Sequence, residues 1–362
     1  MLKKIEKLLC DLSTIQGLSG HEQAVAEYTR NKFKEIGLES TTDVIGNVYA
    51  GVKGRSNKLK VLLTAHMDQL GFVVRYITDK GFIKVDRVGG IPEKTLPSLR
   101  VLIKTENNEY VKGVIGNKSH HVTPPEEKYI VPKYTELFVD IGCNSREEVL
   151  ALGINVGCPV TYRPYFEMMQ NNRANGTSFD NRAALTALLI LAEKFAKDPA
   201  SCDVYFAGTV QEEYTIRGAT LAARAVAPDI AICLDIATEG GTPGSENTSH
   251  VELGGGATMS LYNFHGRGTL NGTIPHPSLV KLFKETAKEN NVPLQRTTLF
   301  GGLTELAYMQ LEGKGIAGID MCIPCRYTHT QVEVIDLNDI ESIVSLVEKA
   351  IRNINDDFSL ER

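Results

Sequence analysis

Two histidines and five carboxylates of this sequence stand where α/β proteins place functional side chains. They are His66 and Asp68 after VLLTA, Asp180 immediately before an apolar helix, Glu212 and Glu213 after VYFAGTV, Asp235 at the end of IAICL, and His329 beyond GIAGIDM. Open α/β sheets bind ligands beyond the carboxyl ends of their strands. We therefore expect these seven side chains to converge on one edge of a sheet.

Several carboxylates a few ångströms apart repel one another and ionise with difficulty, and cations resolve this conflict. Mixed imidazole and carboxylate ligation is typical of zinc, cobalt or manganese, whereas magnesium and calcium sites are almost entirely oxygen. The CxxC pair of Cys322 and Cys325 has no second pair, so we interpret it as structural. With no closed thiolate site indicated, the pattern favours an open, catalytic metal site.

Glu212 and Glu213 are adjacent, and neighbouring side chains on a strand point to opposite sides. The two glutamates are therefore expected to differ in role. One can bind metal while the other accepts a proton from a water molecule that the metal activates, which is the arrangement of a hydrolase. The pattern alone leaves open which glutamate has which role.

The elements that carry these residues predict one α/β domain with a β-rich insert. Alternating apolar strands and helices, among them LTALLILAEKFAK, indicate a mixed sheet with helices on both faces, built from residues 1–69 and 166–362. Six short alternating pieces, from GFVVRYI to CPVTYR, indicate a small β-rich domain over residues 70–165. Ser19 and Glu22 have capping-box spacing, which predicts a helix that begins at Ser19 and stops at Gly37.

Composition excludes several classes of protein. The net charge of −5, with acidic and basic residues interspersed, lacks the basic footprint of a nucleic-acid binder. No apolar stretch approaches the roughly 18 to 20 residues of a membrane span, and no secretory signal is present. Seven cysteines, an odd number, are typical of free thiols in a reducing compartment. These features predict a cytoplasmic protein whose partners are small molecules or peptides.

Five ordered segments resemble the tetrahedral (TET) aminopeptidases, a glutamyl-type family of dinuclear metallo-aminopeptidases in which some relatives carry the label endoglucanase or cellulase. The segments are AHMDQLGFVV, SFDNRAAL, GTVQEEYTIRGAT, LDIATEGGTPG and CRYTHTQVEVIDL. The resemblance covers nearly the whole chain, including GGIPEK and HHVTPPEE in the insert.

The resemblance implies a site of two divalent metal ions. It implies that Asp180 bridges the ions, that His66 and Asp235 complete one position, and that Glu213 and His329 complete the other. Glu212 would be the general base, and Asp68 would orient His66. It further implies a PDZ-like insert that forms dimers, which build a dodecamer.

Three positions depart from the family pattern, namely Gln69, Glu305 and the stretch that begins at Glu239. None of them removes a ligand from the implied site. The predicted function is an aminopeptidase that hydrolyses the N-terminal bond of short peptides that have a free amino group. Two alternatives remain, a deacylase or amidase of N-acyl amino acids with the same site, and a non-catalytic metal-binding assembly protein.

Overall fold

The computed structural model describes residues 1–56, 59–266 and 272–361. Its helices are α1 (Leu2–Ser13), α2 (Gln23–Glu35), α3 (Arg146–Ala151), α4 (Phe179–Lys197), α5 (Glu212–Thr215), α6 (Arg217–Val226), α7 (Pro277–Glu289), α8 (Leu306–Met309) and α9 (Leu337–Arg352). Four short 3-10 helices span Glu93–Thr95, His120–Val122, Pro125–Glu127 and Tyr134–Glu136. Within the described ranges, no helix has both the length and the apolar character that crossing a membrane requires.

The strands form a main sheet, a small antiparallel sheet and a closed barrel, and they are numbered in chain order. The first nine are β1 (Ser40–Thr42), β2 (Val48–Val52), β3 (Lys60–His66), β4 (Gly71–Ile77), β5 (Ile83–Val88), β6 (Arg100–Lys104), β7 (Tyr110–Ile115), β8 (Val139–Asp140) and β9 (Pro159–Tyr162). The others are β10 (Phe166–Met168), β11 (Arg173–Gly176), β12 (Asp203–Thr209), β13 (Ile230–Thr238), β14 (Ala257–Phe264), β15 (Gly272–Thr273), β16 (Leu294–Phe300), β17 (Ala317–Cys325) and β18 (Glu333–Asp336). Strands β10, β11 and β18 form a small antiparallel sheet.

The main sheet is mixed and is covered by helices on both faces. Its order is β1-β2-β12-β3-β13-β17-β14-β15, with β16 paired to β14. The central strands β12, β3, β13 and β17 are parallel to one another, whereas β2 and β14 flank them antiparallel. On β3, Leu63 packs in the cluster that includes α1, α4 and α9, and Leu62 packs in the cluster that includes α6 and α8. This confirms the predicted sheet class, because adjacent side chains of a strand serve opposite faces.

The six alternating pieces of sequence form a closed barrel in the order β4-β5-β8-β7-β6-β9. The barrel has its own apolar core, with Phe72, Val101 and Val160 fully buried. Closure of the sheet leaves few free strand edges that could pair with another chain. The predicted fold class, an α/β domain with a β-rich insert, is confirmed.

The predicted start of α2 is wrong, although its predicted end is right. The helix begins at Gln23, because Ser19 donates a 2.5 Å hydrogen bond to Asp68 and Glu22 accepts from the backbone N–H of Gly20 and Gln211. Neither side chain caps the helix. At the other end the chain leaves the helix through Gly37, whose φ of 80° suits glycine.

Candidate metal centre

The parallel strands bring the candidate residues to one edge of the main sheet. His66 is the last residue of β3 and pairs in register with Thr209, the last residue of β12. Glu212 and Glu213 follow Thr209 by three and four residues, so they lie at the edge that His66 occupies. Parallel pairing thus joins segments that are far apart in sequence.

The two glutamates do not lie on a strand, contrary to the sequence-based expectation. The chain turns at Gln211, where φ is 60°, and Glu212 begins the short helix α5. Successive side chains on a helix are about 100° apart, so both glutamates can face the same cleft. In the structure both glutamates, together with Tyr214, line one cleft.

The other three candidate ligands come from three kinds of local structure. Asp180 is the second residue of α4, and its φ of −76° and ψ of 104° are not helical. Asp235 lies inside β13, paired with Cys322 of β17, rather than at the end of its strand. His329 lies in the loop after β17 with a φ of 64°. The structure brings all three to a cleft of 760 Å³ that His66, Glu212 and Glu213 also line.

Asp180 lies between the two imidazoles of the cleft. Its Oδ1 is 3.2 Å from Nε2 of His66, and its Oδ2 is 3.3 Å from Nε2 of His329. Glu212 Oε2 is 3.8 Å from Nε2 of His66, and Glu213 Oε2 is 3.8 Å from Nε2 of His329. Each imidazole therefore faces one glutamate and one oxygen of the shared aspartate.

The carboxylates of the cleft are crowded. Burial raises the pKa of Glu213 to about 8, and burial also raises the pKa of Glu212 and of Asp235 well above the ordinary range. Burial likewise opposes charge on the imidazoles, but the surrounding carboxylates, Glu212 foremost, outweigh it and raise the pKa of His66. Such a group of buried acids resists ionisation unless positive charge is added.

The donor set fits a divalent cation. Ligand atoms of His66, Asp180 and Glu213 lie within 4.8 Å of one another. Within the described residues, Oε1 of Glu213 is buried without a hydrogen-bond partner. Two imidazoles with three carboxylates form the mixed nitrogen and oxygen set that suits zinc and its neighbours.

A carbonyl of the barrel fixes the tautomer of His329. Nδ1 of His329 is 2.8 Å from the carbonyl oxygen of Gly90, in the loop between β5 and β6. Because a carbonyl can only accept, Nδ1 carries the proton and donates, and the lone pair of Nε2 faces Asp180 and Glu213. The barrel thus orients a side chain of the cleft.

Asp68 is fully buried, and its hydrogen bonds go mainly to the turn that carries the two glutamates. Its Oδ1 accepts the N–H of Glu212 and its Oδ2 accepts the N–H of Glu213, both at 3.0 Å. Its Oδ1 also lies 3.4 Å from Nδ1 of His66. That Asp68 orients His66, as the resemblance implies, stays a prediction. The hydrogen bonds of Asp68 to the Glu212–Glu213 turn are additional contacts.

Sequence reasoning missed Glu333. This carboxylate, 2% exposed, accepts the N–H of Asp180 at 3.1 Å and the N–H of His329 at 3.0 Å. It therefore joins two candidate ligands from segments about 150 residues apart. The available signal was a glutamate four residues after His329 at the start of an apolar strand. His265 also lines the cleft.

The three departures from the family pattern lie beside the cleft rather than among the candidate ligands. Gln69 accepts the N–H of Gly17 at 2.9 Å, Glu305 accepts from the hydroxyl of Thr209, and Glu239 accepts from Arg326 at 2.8 Å. All three are buried. Cys322 and Cys325 are buried free thiols of β17.

Comparisons with known proteins identify the family of this chain. The family model described as M42 glutamyl aminopeptidase matches residues 46–346. The chain is 36% identical to SgcX of Escherichia coli (strain K12), which is named as a candidate aminopeptidase, over 95% of this chain and 92% of the relative. It superposes on an aminopeptidase from the archaeon Desulfurococcus kamchatkensis with a TM-score of 0.91 and 31% identity, covering 97% and 95% of the two chains.

A further structural neighbour is described by its assembly. The Pyrococcus horikoshii TET1 peptidase is reported to assemble into a tetrahedron or a large octahedral shell. It superposes with a TM-score of 0.85 at 27% identity, covering 96% of this chain and 99% of that one.

Proposed function

This chain belongs to the M42 glutamyl aminopeptidase family and is a metal-dependent aminopeptidase, and we propose that it releases the N-terminal residue of short peptides with two divalent ions. The observation that carries the proposal is the position of Asp180, whose two carboxylate oxygens face two different imidazoles. One carboxylate between two nitrogen ligands suits a bridging ligand. Neither a deacylase nor a non-catalytic scaffold is favoured by the comparisons.

In this proposal His66 and Asp235 would hold one ion, Glu213 and His329 would hold the other, and Asp180 would be a ligand of both. The unpartnered Oε1 of Glu213 and its closeness to His66 and Asp180 support a ligand role for Glu213 rather than for Glu212. Bound divalent ions of this kind lower the pKa of water and polarise a substrate carbonyl.

Glu212 is then the general base. Its side chain lines the cleft from the first turn of α5, held there by Asp68 through the backbone. We propose that its carboxylate takes the proton of the attacking water and returns it to the nitrogen of the leaving peptide. Asp68 acts as a positioning residue for this turn and for His66.

The finer features of the protein are also proposals. Zinc suits the donor set best, and cobalt or manganese are alternatives. The insert of residues 70–165, whose barrel has a separate core, is proposed as the dimerisation domain between catalytic segments 1–69 and 166–362. Dimers would assemble into a homo-oligomer, a dodecamer by analogy with the structure of PhTET1-12s, which is described as a dodecamer in the asymmetric unit. The seven free cysteines support a cytoplasmic location.

A panel of amino-acyl nitroanilides, assayed with zinc, cobalt and manganese in turn, tests the proposal. We expect turnover of substrates with a free amino group and loss of turnover when that group is acetylated. Faster hydrolysis of the acetylated substrates would instead identify a deacylase or amidase. No hydrolysis of either set with any of the three ions would contradict the proposal.

A further inference from the structure

A second, smaller cavity adjoins the cleft of the candidate metal centre. It measures 300 Å³, against 760 Å³ for the cleft. The residues that line both spaces are Ile236, Thr238, Leu299, Phe300 and Thr304. We call this cavity the side chamber. Its position and its size suit one amino-acid side chain whose peptide bond lies in the cleft.

The wall of the side chamber is rich in hydroxyl groups. Seven of the residues that line it are threonines or serines, namely Thr238, Thr248, Ser249, Ser260, Thr297, Thr298 and Thr304. Apolar side chains and Asn263 complete it. Among the described residues that line the chamber, none carries a formal charge. A charged substrate side chain would therefore find no direct counter-ion on this wall.

Three residues that line the chamber donate hydrogen bonds to other groups of the protein. The hydroxyl of Thr304 donates to Asp320 at 2.6 Å, and the amide nitrogen of Asn263 donates to the other oxygen of Asp320 at 2.9 Å. The hydroxyl of Ser260 donates to the amide oxygen of Asn263. The hydroxyls of Ser260 and Thr304 therefore donate within the protein, although their oxygens can still accept, whereas the amide nitrogen of Asn263 keeps a second N–H.

Asp320 lies directly behind this wall. It is 1% exposed, on β17, and both of its oxygens accept from residues that line the chamber. Burial raises the pKa of Asp320 to about 6, so it carries a negative charge at alkaline pH. A carboxylate in the chamber would lose water, find no counter-ion on the wall, and lie one side chain away from a like charge.

We propose that the side chamber receives the side chain of the substrate's N-terminal residue and rejects acidic side chains, with Asp320 as the specificity-determining residue. This inference rests on the aminopeptidase function proposed above. It sets this chain apart from the preference that the family's description, glutamyl aminopeptidase, suggests. Neutral side chains avoid this loss of charge hydration and this repulsion, because they bring no charge to the buried wall.

Glutaminyl and glutamyl nitroanilides provide the test, because their side chains have nearly the same shape and differ in charge. At a pH well above the pKa of Asp320, we expect kcat/KM for the glutaminyl substrate to exceed that for the glutamyl substrate by about tenfold or more, as one pKa-unit equivalent of charge repulsion gives. Equal turnover of the two substrates would overturn the inference. Absence of turnover with every unblocked substrate would instead contradict the proposed function.

The variant Asp320→Asn removes the charge and is expected to reduce the preference for glutaminyl substrate severalfold. Its matched control is Asp339→Asn, which neutralises another fully buried aspartate that does not line either cavity. An unchanged preference in folded Asp320→Asn, or an equal reduction in the control, would refute the role of Asp320.

A second pair of variants keeps the inference testable if Asp320→Asn does not fold. Thr298 is an exposed residue of β16 that lines the chamber, so larger side chains are tolerated there. Thr298→Lys is expected to raise kcat/KM for the glutamyl substrate relative to the glutaminyl one, and Thr298→Met controls for length. If the lysine variant behaved like the methionine variant, the assignment of the chamber would be wrong.

Discussion

The substitution Glu333→Gln tests whether a buried carboxylate sets the spacing of two metal ligands. Glu333 accepts one backbone N–H from Asp180 and one from His329. Glutamine keeps the size of the side chain, but only its oxygen can accept. Its amide group therefore meets the second N–H donor to donor, and one of the two hydrogen bonds is lost.

The size of the effect follows from that single lost bond. A hydrogen bond to a charged group contributes about 1.5–3 kcal/mol. Without an ion, the loop of His329 and the start of α4 can relax and recover part of this energy. With an ion bound, both ligands must keep their positions, so most of the cost falls on the ion-bound state. Because a tenfold change in affinity corresponds to about 1.4 kcal/mol, we expect metal affinity to fall by about tenfold to a hundredfold.

Competitive titration of the metal-free protein with zinc and a chelating indicator measures this affinity directly. The matched control is Asp339→Asn, because Asp339 is fully buried and also accepts two backbone N–H groups, from Gly254 and Gly256 at 2.8 and 2.7 Å. Both variants should lower the thermal midpoint of the metal-free protein, and only Glu333→Gln should weaken zinc binding. Wild-type affinity in Glu333→Gln, or an equal loss in the control, would refute the positioning role.

Three further substitutions separate the proposed roles in the cleft. Glu212→Gln should lower kcat by about a hundredfold or more while zinc content stays at two per chain, and normal activity would exclude Glu212 as the base. Glu213→Ala should lower zinc occupancy measured by elemental analysis, and tight binding of both ions would require another ligand. Asp68→Asn disturbs the N–H contacts of both glutamates, so kcat should fall by about tenfold to a hundredfold, and an unchanged kcat would contradict the positioning role of Asp68.

The sequence by itself determined the fold class and the edge at which the candidate residues meet. Apolar runs such as VLLTA predict buried strands because both faces of a central strand are covered, and polar residues after such runs must lie at a sheet edge. The six short pieces of the insert predicted the strands of the barrel for the same local reason. These features depend on composition and periodicity within a few residues.

Tertiary structure alone decided the details of the site. The pattern around Ser19 and Glu22 suits a helix cap, yet Ser19 bonds Asp68 and Glu22 bonds Gln211, which lies 189 residues away. Likewise, because the chain turns at Gln211, both following glutamates lie on a helix rather than on the predicted strand. A local sequence pattern can predict hydrogen bonds between residues that are near in sequence. It cannot predict a hydrogen bond to a donor that packing brings close from another segment.

The contacts of Glu333 and of Gly90 show the same limit. Gly90 belongs to the barrel and bonds His329, which is 239 residues later in the chain, and Glu333 bonds Asp180 across 153 residues. The sequence determines which side chains can serve as metal ligands, because that depends on their own chemistry. Only the folded chain decides how those ligands are oriented, because each orienting hydrogen bond needs a partner that long-range packing supplies.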